Sequence, residues 1–144
     1  VAEAGSLIAE VRAVKNMGSN RFYLVDAGFN DLIRPAMYGS HHPIAICPQD
    51  GSDHERPEVE AIVGGPLCES GDIFTQREGG YVVSRSLPIA NVGDYVVLGN
   101  AGAYGFAMSS NYNSKTRAAE VLIENGETKL IRARECYDDL VRGE

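Results

Sequence analysis

Cys68 and Glu69 are adjacent in the short segment 65–72, which also contains two glycines and one proline. Glycine and proline favour a tight turn, and an exposed thiol in such a turn can react when it is deprotonated. However, the pattern supplies no histidine that could act as its base, and an isolated cysteine is more often a small buried side chain. The residues alone therefore leave Cys68 open between a reactive thiol and a core position.

Arg34 and Tyr38 are four residues apart in a segment, 31–38, that is predicted to form a short helix with Pro35 in its first turn. Residues at this spacing lie on the same face of a helix. A guanidinium and a phenol on one face could together bind a carboxylate group. An ordinary surface arginine is the competing interpretation.

Tyr104 lies in a glycine-rich segment, 99–105, that follows a predicted strand. The glycines do not have the G-x-G-x-x-G spacing of a dinucleotide site, and no β-α-β pattern surrounds them. Backbone N–H groups of such a turn, together with the phenol, could still hold one phosphate oxygen. A tight turn beside a core tyrosine explains the same pattern.

The three histidines do not predict a metal site. His41 and His42 are adjacent, so in a strand their side chains point in opposite directions, and no third ligand is evident. We interpret both as structural, and His54 lies in a polar loop without an assigned role.

Short strands and small helices must position these residues. A hairpin is predicted from residues 10–15 and 21–25, and a second from 119–124 and 128–133, where Asn125-Gly126 suits a type I′ turn. Further strands are predicted at 42–47, 58–63, 81–86 and 95–98. Helices are predicted at the two ends: apolar residues at 1, 4, 8 and 11 favour one, and residues 134–142, with Gly143 as the cap, favour the other.

These elements predict a mainly β domain with small helices, either a sandwich or a barrel, whose strands are mostly antiparallel. A net charge of −7 disfavours nucleic acid as a partner. The longest uncharged stretch, 95–114, is too rich in Gly, Ser and Asn for a membrane span. Three cysteines without a C-x-x-C unit favour reduced thiols, and therefore a cytoplasmic protein. The uncapped helix predicted at residue 1 suggests a fragment of a longer chain.

In their order along the chain, three segments resemble the signature blocks of the diaminopimelate decarboxylase family. These are VDAGFNDLIRPAMY at 25–38, GPLCESGD at 65–72 and GAYGFAMSSNYN at 102–113. The resemblance extends to residues 117–120 and 134–135. It identifies the chain as similar to the C-terminal domain of these alanine-racemase-like, fold-type III enzymes, which depend on pyridoxal 5′-phosphate.

The resemblance implies an N-terminal (β/α)8 barrel ahead of the β domain, with residues 1–12 as the end of that barrel and 13–144 as the β domain. The lysine that binds the cofactor covalently, the glycine loop for its phosphate and a further substrate-binding arginine are then expected outside this chain. Lys15, Lys115 and Lys129 lie outside the matching blocks and are interpreted as solvated charges. The fragment alone is therefore expected to be inactive.

The resemblance also implies roles for particular residues. Arg34 and Tyr38 would bind the distal carboxylate of meso-2,6-diaminopimelate, and Glu69 would pair with its distal ammonium. Cys68 would deliver a proton in the active site of the partner subunit of a homodimer with shared sites. Tyr104 would lie beside the cofactor.

The implied reaction is decarboxylation of meso-2,6-diaminopimelate to L-lysine and CO₂, a step of lysine biosynthesis. The first alternative is a decarboxylase of the same fold type acting on ornithine, arginine or carboxynorspermidine. Glu69 argues against the ornithine type, in which aspartate usually follows the cysteine. The second alternative is a noncatalytic relative in which the β domain serves dimerisation or regulation.

Overall fold

The structure is a computed structural model that describes residues 1–52 and 54–144. Its largest element is a six-stranded sheet with the strand order β3-β8-β1-β2-β4-β7. The strands are β1 (Leu7–Met17), β2 (Asn20–Val25), β3 (Ile44–Cys47), β4 (Glu58–Gly64), β7 (Arg85–Pro88) and β8 (Tyr95–Leu98). The edge strands β3 and β7 approach each other, so the sheet curls into a nearly closed barrel. The predicted fold class, mainly β with small helices, is confirmed.

The helix predicted at the N-terminus is wrong. Residues Ala2–Ala4 form a single 3₁₀ turn, and β1 begins at Leu7. Ala9 and Val11 are buried whereas Ile8 is 60% exposed, which is the alternation of a strand. β1 is hydrogen-bonded to β8 on one side and to β2 on the other, and this pairing overrides the weak helical spacing. The strand also runs without interruption across the domain boundary predicted between residues 12 and 13.

The first hairpin is confirmed, with longer strands than predicted. Met17 pairs with Asn20, which leaves Gly18 and Ser19 as a two-residue turn. Gly18 has a φ of +62°, a conformation that glycine adopts without strain. The sheet is antiparallel as predicted except between β2 and β4, which run parallel because residues 26–57 cross between them.

The strand predicted at 81–86 is two strands. β6 (Tyr81–Val82) pairs with β5 (Gln76–Arg77) in a small separate sheet, and β7 pairs with β4. The chain thus changes partner after Val82. The barrel interior holds a continuous apolar core, formed by Ala9, Val11, Tyr23, Val25, Ala27, Leu32, Ala61, Val63, Phe74, Leu87, Ala90, Val96 and Leu98.

The second hairpin is confirmed, with β9 (Glu120–Glu124) and β10 (Glu127–Arg132). Asn125 and Gly126 have φ angles of 53° and 82°, as a type I′ turn requires. The predicted C-terminal helix is much shorter, because α2 covers only Tyr137–Leu140. Asp139 accepts a hydrogen bond from the Cys136 backbone at 2.8 Å, which fixes the start of the helix at Cys136. Its C-cap is Val141 rather than the predicted Gly143.

No helix in the described part of the chain is both long enough and apolar enough to cross a bilayer.

Candidate functional site

The short helix α1 (Arg34–Tyr38) orients the first group of candidate residues. Pro35 occupies its first turn as predicted, and the helix ends at Gly39, whose φ is +63°. A Cβ at Gly39 would lie 1.9 Å from the Glu78 backbone nitrogen, so only glycine permits this approach to the neighbouring segment. The end of α1 is therefore fixed against the segment that follows β5.

Arg34, Tyr38, Ser40 and Tyr104 form what we call the arginine cluster. The Arg34 guanidinium carbon lies 5.6 Å from the centre of the Tyr38 ring and 5.4 Å from that of Tyr104. Both distances allow cation–π attraction. Arg34 also donates to the Ser40 hydroxyl at 3.4 Å. The prediction that Arg34 and Tyr38 share a helix face is confirmed, and Tyr104 joins them from a distant part of the chain.

Tyr104 reaches the cluster from a turn that is anchored to the N-terminus. Ala101 donates to the Gly5 carbonyl at 2.8 Å, and Gly102 donates to the Ala2 carbonyl at 2.9 Å. Tyr104 itself has a φ of 59°, and its side chain is 62% exposed. A core tyrosine, the alternative considered from the sequence, is therefore excluded. An open cleft of about 310 Å³ lies between this turn and Arg34.

His42 connects two segments that border the cleft. It is buried, and its Nδ1 lies 2.9 Å from the Gly99 carbonyl oxygen, so it joins the segment after α1 to the turn that holds Tyr104. Arg85 donates to the His42 carbonyl at 2.6 Å. Residues 1–52 and 54–144 contain no group of three or more His, Cys, Asp or Glu side chains that could hold a metal ion.

Cys68 and Glu69 are both exposed. Cys68 is therefore an accessible thiol and not a core side chain, the alternative that the sequence left open. One Glu69 carboxylate oxygen accepts from the Ser70 hydroxyl at 3.2 Å and from the Gly71 backbone at 3.3 Å. The other accepts from the Tyr112 hydroxyl at 3.3 Å. The hydrogen bond from Gly71, followed by that from Ser70, holds the pKa of Glu69 below its ordinary value. We refer to Cys68, Glu69 and Tyr112 as the thiol–acid cluster.

Asp72 is buried beneath this turn and shapes it. Its two carboxylate oxygens accept from the Phe29 backbone at 2.7 Å and from the Leu67 backbone at 2.8 Å. Burial raises the pKa of Asp72, and the two backbone donors oppose that rise. Asp72 therefore ties the thiol–acid turn to the segment that leads into α1.

The two clusters are separate within one chain. In the part of the chain that the structure describes, no hydrogen bond, ion pair or ring contact joins Cys68 or Glu69 to Arg34, Tyr38 or Tyr104. Segment 26–33, which Asp72 anchors at Phe29, connects them. Convergence of all five predicted residues on one active-site cleft stays a prediction that requires a second subunit.

Sequence analysis missed Tyr112 and Phe29. Their ring centres lie 4.9 Å apart, and Tyr112 is the residue that contacts Glu69. Both residues lie within the blocks 25–38 and 102–113 that carry the family resemblance. The family blocks therefore included both residues, but sequence spacing does not predict which side chains of distant loops contact each other.

A brace around Glu135 closes the C-terminal side of this region. Its carboxylate accepts from the Arg117 backbone at 2.8 Å and from the Asn111 amide at 2.7 Å, and it forms an ion pair with Arg117. These contacts, led by the backbone hydrogen bond, hold the pKa of Glu135 below its ordinary value of 4.5. The segment that carries Tyr112 is therefore anchored to the C-terminal residues.

The brace predicts a pH-dependent contribution to stability. A carboxyl whose pKa falls on folding stabilises the fold above its unfolded pKa, and this contribution is lost as the pH falls through the folded pKa. We expect Glu135→Gln to lower the melting temperature at pH 7 and to match the wild type once the pH is well below 4.5. Thermal unfolding of both proteins from pH 7 to pH 3, with Glu144→Gln as the control, measures this. A difference that does not change with pH would contradict it.

Comparison with known proteins identifies the family. Residues 2–102 match the family model described as "Pyridoxal-dependent decarboxylase, C-terminal sheet domain". The diaminopimelate decarboxylase of Escherichia coli K12 is 58% identical over 142 residues, which cover 98% of this chain and 34% of the relative. That of Streptomyces coelicolor is 53% identical over 144 residues, with 100% and 33% coverage. The chain thus spans about a third of the length of these relatives.

Solved structures give the same result. A crystal structure of a diaminopimelate decarboxylase matches with a TM-score of 0.95 at 57% identity, over 98% of this chain and 34% of that protein. The enzyme from M. jannaschii, solved in co-complex with L-lysine, matches with a TM-score of 0.86 at 34% identity, over 99% of this chain and 30% of that one. The chain therefore belongs to the family of pyridoxal-dependent decarboxylases, whose C-terminal sheet domain its residues 2–102 represent.

Proposed function

We propose that this chain is the substrate-recognising part of a diaminopimelate decarboxylase, which releases CO₂ from meso-2,6-diaminopimelate to give L-lysine. The observation that supports this best is that the chain presents two accessible sites of opposite charge, the arginine cluster and the thiol–acid cluster. Diaminopimelate carries an amino acid group at each end, so its distal end offers both a carboxylate and an ammonium. The names of the relatives support the same substrate.

The arginine cluster suits the distal carboxylate. A guanidinium offers a planar fork of donors that matches a carboxylate, and the Tyr38 and Ser40 hydroxyls add neutral donors beside it. The two aromatic rings restrict the rotamers of Arg34, so less entropy is lost when the substrate binds. Arg34 is only half-buried, which leaves the cleft accessible.

The thiol–acid cluster suits the distal ammonium and the proton transfer. Glu69 is held as a carboxylate, so it would pair with an ammonium and reject a substrate that ends in an uncharged group. Cys68 beside it would supply the proton that replaces the departing carboxyl group. Since both residues are exposed and make no contact with the arginine cluster of their own chain, we propose that they serve the partner subunit of a homodimer.

The residues present fit one edge of a pyridoxal 5′-phosphate site. Tyr104 presents an exposed phenol hydroxyl at the cleft, a hydrogen-bond donor of the kind that an anionic cofactor needs. When bound, the cofactor would accept the electron pair released with CO₂. None of Lys15, Lys115 and Lys129 is among the residues that line this cleft. We therefore propose that the covalent lysine belongs to another part of the full enzyme, a cytoplasmic protein of lysine biosynthesis.

A chimeric enzyme tests this function. The chain would replace the matched 142 residues of the Escherichia coli relative, which retains its own remaining two thirds. We expect the chimera to release CO₂ from meso-diaminopimelate and to form L-lysine. The remaining two thirds of the Escherichia coli enzyme, expressed without this chain, should be inactive. The unmodified relative is the positive control. The chain alone, mixed with pyridoxal phosphate, should show no absorbance band of covalently bound cofactor.

The same assay separates the alternatives. Activity of the chimera on ornithine, arginine or carboxynorspermidine in preference to diaminopimelate would refute the proposed substrate. A folded, dimeric chimera that releases no CO₂ from any of the four would favour the noncatalytic alternative. That alternative is disfavoured because the relatives at 53–58% identity are named diaminopimelate decarboxylase.

A further inference from the structure

Glu69 receives hydrogen bonds from two different parts of the chain. Ser70 and Gly71, which belong to its own turn, both donate to one carboxylate oxygen, at 3.2 and 3.3 Å. They leave the second oxygen without a hydrogen bond from its own turn. Tyr112, which is 43 residues further along the chain, donates to that second oxygen at 3.3 Å. Among the described residues, its hydroxyl is the donor to Glu69 from outside the turn.

Tyr112 is itself held in place. Its ring packs against Phe29 with a centre-to-centre distance of 4.9 Å and an interplanar angle of 53°. The Phe29 backbone is in turn fixed by the buried Asp72 at 2.7 Å. Asn111, next to Tyr112, donates its amide to Glu135 at 2.7 Å. The phenol therefore cannot follow a displaced carboxylate without breaking contacts on both sides.

Tyr112 remains a neutral donor. Partial burial raises the pKa of its phenol above 10, and the negative charge of Glu69 raises it further. Cys68 also contributes to this rise, which places the thiol within electrostatic reach of the same phenol. Near neutral pH the Tyr112 hydroxyl thus donates to the carboxylate and does not compete with it for protons.

We propose that Tyr112 is a positioning residue that sets the selectivity of the site for a substrate ending in a distal ammonium. By fixing the second oxygen of Glu69, it holds the carboxylate in an orientation in which it can bind a cation. This inference rests on the proposed function, because the ammonium is that of diaminopimelate. A carboxylate free to rotate would still attract a cation, but with less preference over a substrate that lacks one.

The contact itself is tested without catalysis. In the isotopically labelled chain, the pKa of Glu69 is followed by NMR titration of its carboxyl carbon. We expect Tyr112→Phe, which removes only the hydroxyl, to raise the pKa of Glu69, because one donor to the charged form is lost. Tyr137→Phe is the matched control, since Tyr137 is 80% exposed. An unchanged pKa in Tyr112→Phe would overturn the proposed contact.

Selectivity is tested in the chimera with two substrates of equal length, meso-diaminopimelate and 2-aminopimelate, which lacks the distal amine. We expect Tyr112→Phe to reduce the ratio of their kcat/KM values about five- to tenfold, mainly through KM for diaminopimelate, a size that fits the loss of one exposed hydrogen bond of ordinary strength. Phe29→Leu should give a smaller change in the same direction. An unchanged ratio, or an equal loss on both substrates, would overturn the proposal.

The two failures are distinguishable. If the chimera with the unmodified chain does not use diaminopimelate, the proposed function fails, and with it the selectivity role, whatever the NMR titration gives. If that chimera is active but Tyr112→Phe leaves both the ratio and the pKa unchanged, only the inference about Tyr112 fails. Matching thermal unfolding of the Phe variant and its parent would show that a change in the ratio does not come from a loss of fold.

Discussion

Replacing Arg34 with lysine in the chimera is expected to lower kcat/KM for diaminopimelate about a hundredfold or more. The distal carboxylate would lose a planar, two-pronged partner and keep only a point charge. The rings of Tyr38 and Tyr104, 5.6 and 5.4 Å from the guanidinium carbon, would also lose a stacking partner. The charge is retained, but each charge-assisted hydrogen bond that lysine cannot replace costs about 1.5–3 kcal/mol, and about 1.4 kcal/mol corresponds to a factor of ten.

Steady-state rates of CO₂ release measure this effect. Arg12→Lys is the matched control, because Arg12 is an exposed arginine whose ion pair with Glu10 lies on the surface. The Arg34 variant should retain the melting temperature of its parent, since Arg34 contributes one long hydrogen bond of 3.4 Å to the fold. A loss of less than threefold in kcat/KM would contradict the assignment of the distal carboxylate to Arg34.

Replacing Asp72 with alanine is expected to lower the free energy of unfolding of the chain by about 2–4 kcal/mol. The change leaves the Phe29 and Leu67 N–H groups without acceptors, and each unsatisfied buried group costs about 1–3 kcal/mol. The expected loss stays below the sum of two such costs, because the substitution also removes a buried carboxyl. Burial of that carboxyl is unfavourable, as its raised pKa indicates. We expect Cys68 and Glu69 to become mobile with the turn.

Urea unfolding of the chain, followed by circular dichroism, tests this prediction. Asp138→Ala serves as the control, since Asp138 is exposed in α2. In the chimera, the Asp72 variant should lose activity even at temperatures where it is folded, because Asp72 connects the two clusters through segment 26–33. A free energy of unfolding within 0.5 kcal/mol of the parent, the usual range for surface substitutions, would contradict the role of Asp72 as an anchor.

Local chemistry was enough to predict several elements. Asn125-Gly126 fixes its hairpin because both residues accept positive φ, and Pro35 marks the first turn of α1. The N-terminal helix was mispredicted because apolar residues at 1, 4, 8 and 11 fit a helix by spacing, whereas the pairing of β1 with two neighbours decides the structure. The pairing of β1 with β8 depends on residues 85–91 positions away, which no local window contains.

The candidate site was predictable only in part. Arg34 and Tyr38 share a face because of their spacing, which the sequence determines directly. The approach of Tyr104 to Arg34 depends on the anchoring of its turn to Ala2 and Gly5, and this is a consequence of the tertiary fold. The hydrogen bond from Tyr112 to Glu69 is of the same kind. The family resemblance located the blocks, whereas the tertiary fold decides which residues within them are paired.

The most direct test of the account is a crystal structure of the chimera with bound L-lysine or diaminopimelate. We predict that, in the diaminopimelate complex, the distal carboxylate lies within hydrogen-bond distance of the Arg34 guanidinium. The distal ammonium should lie within the same distance of a Glu69 carboxylate, contributed by the other subunit. A complex in which Arg34 and Glu69 both remain in solvent, with the substrate held entirely by the rest of the enzyme, would contradict it.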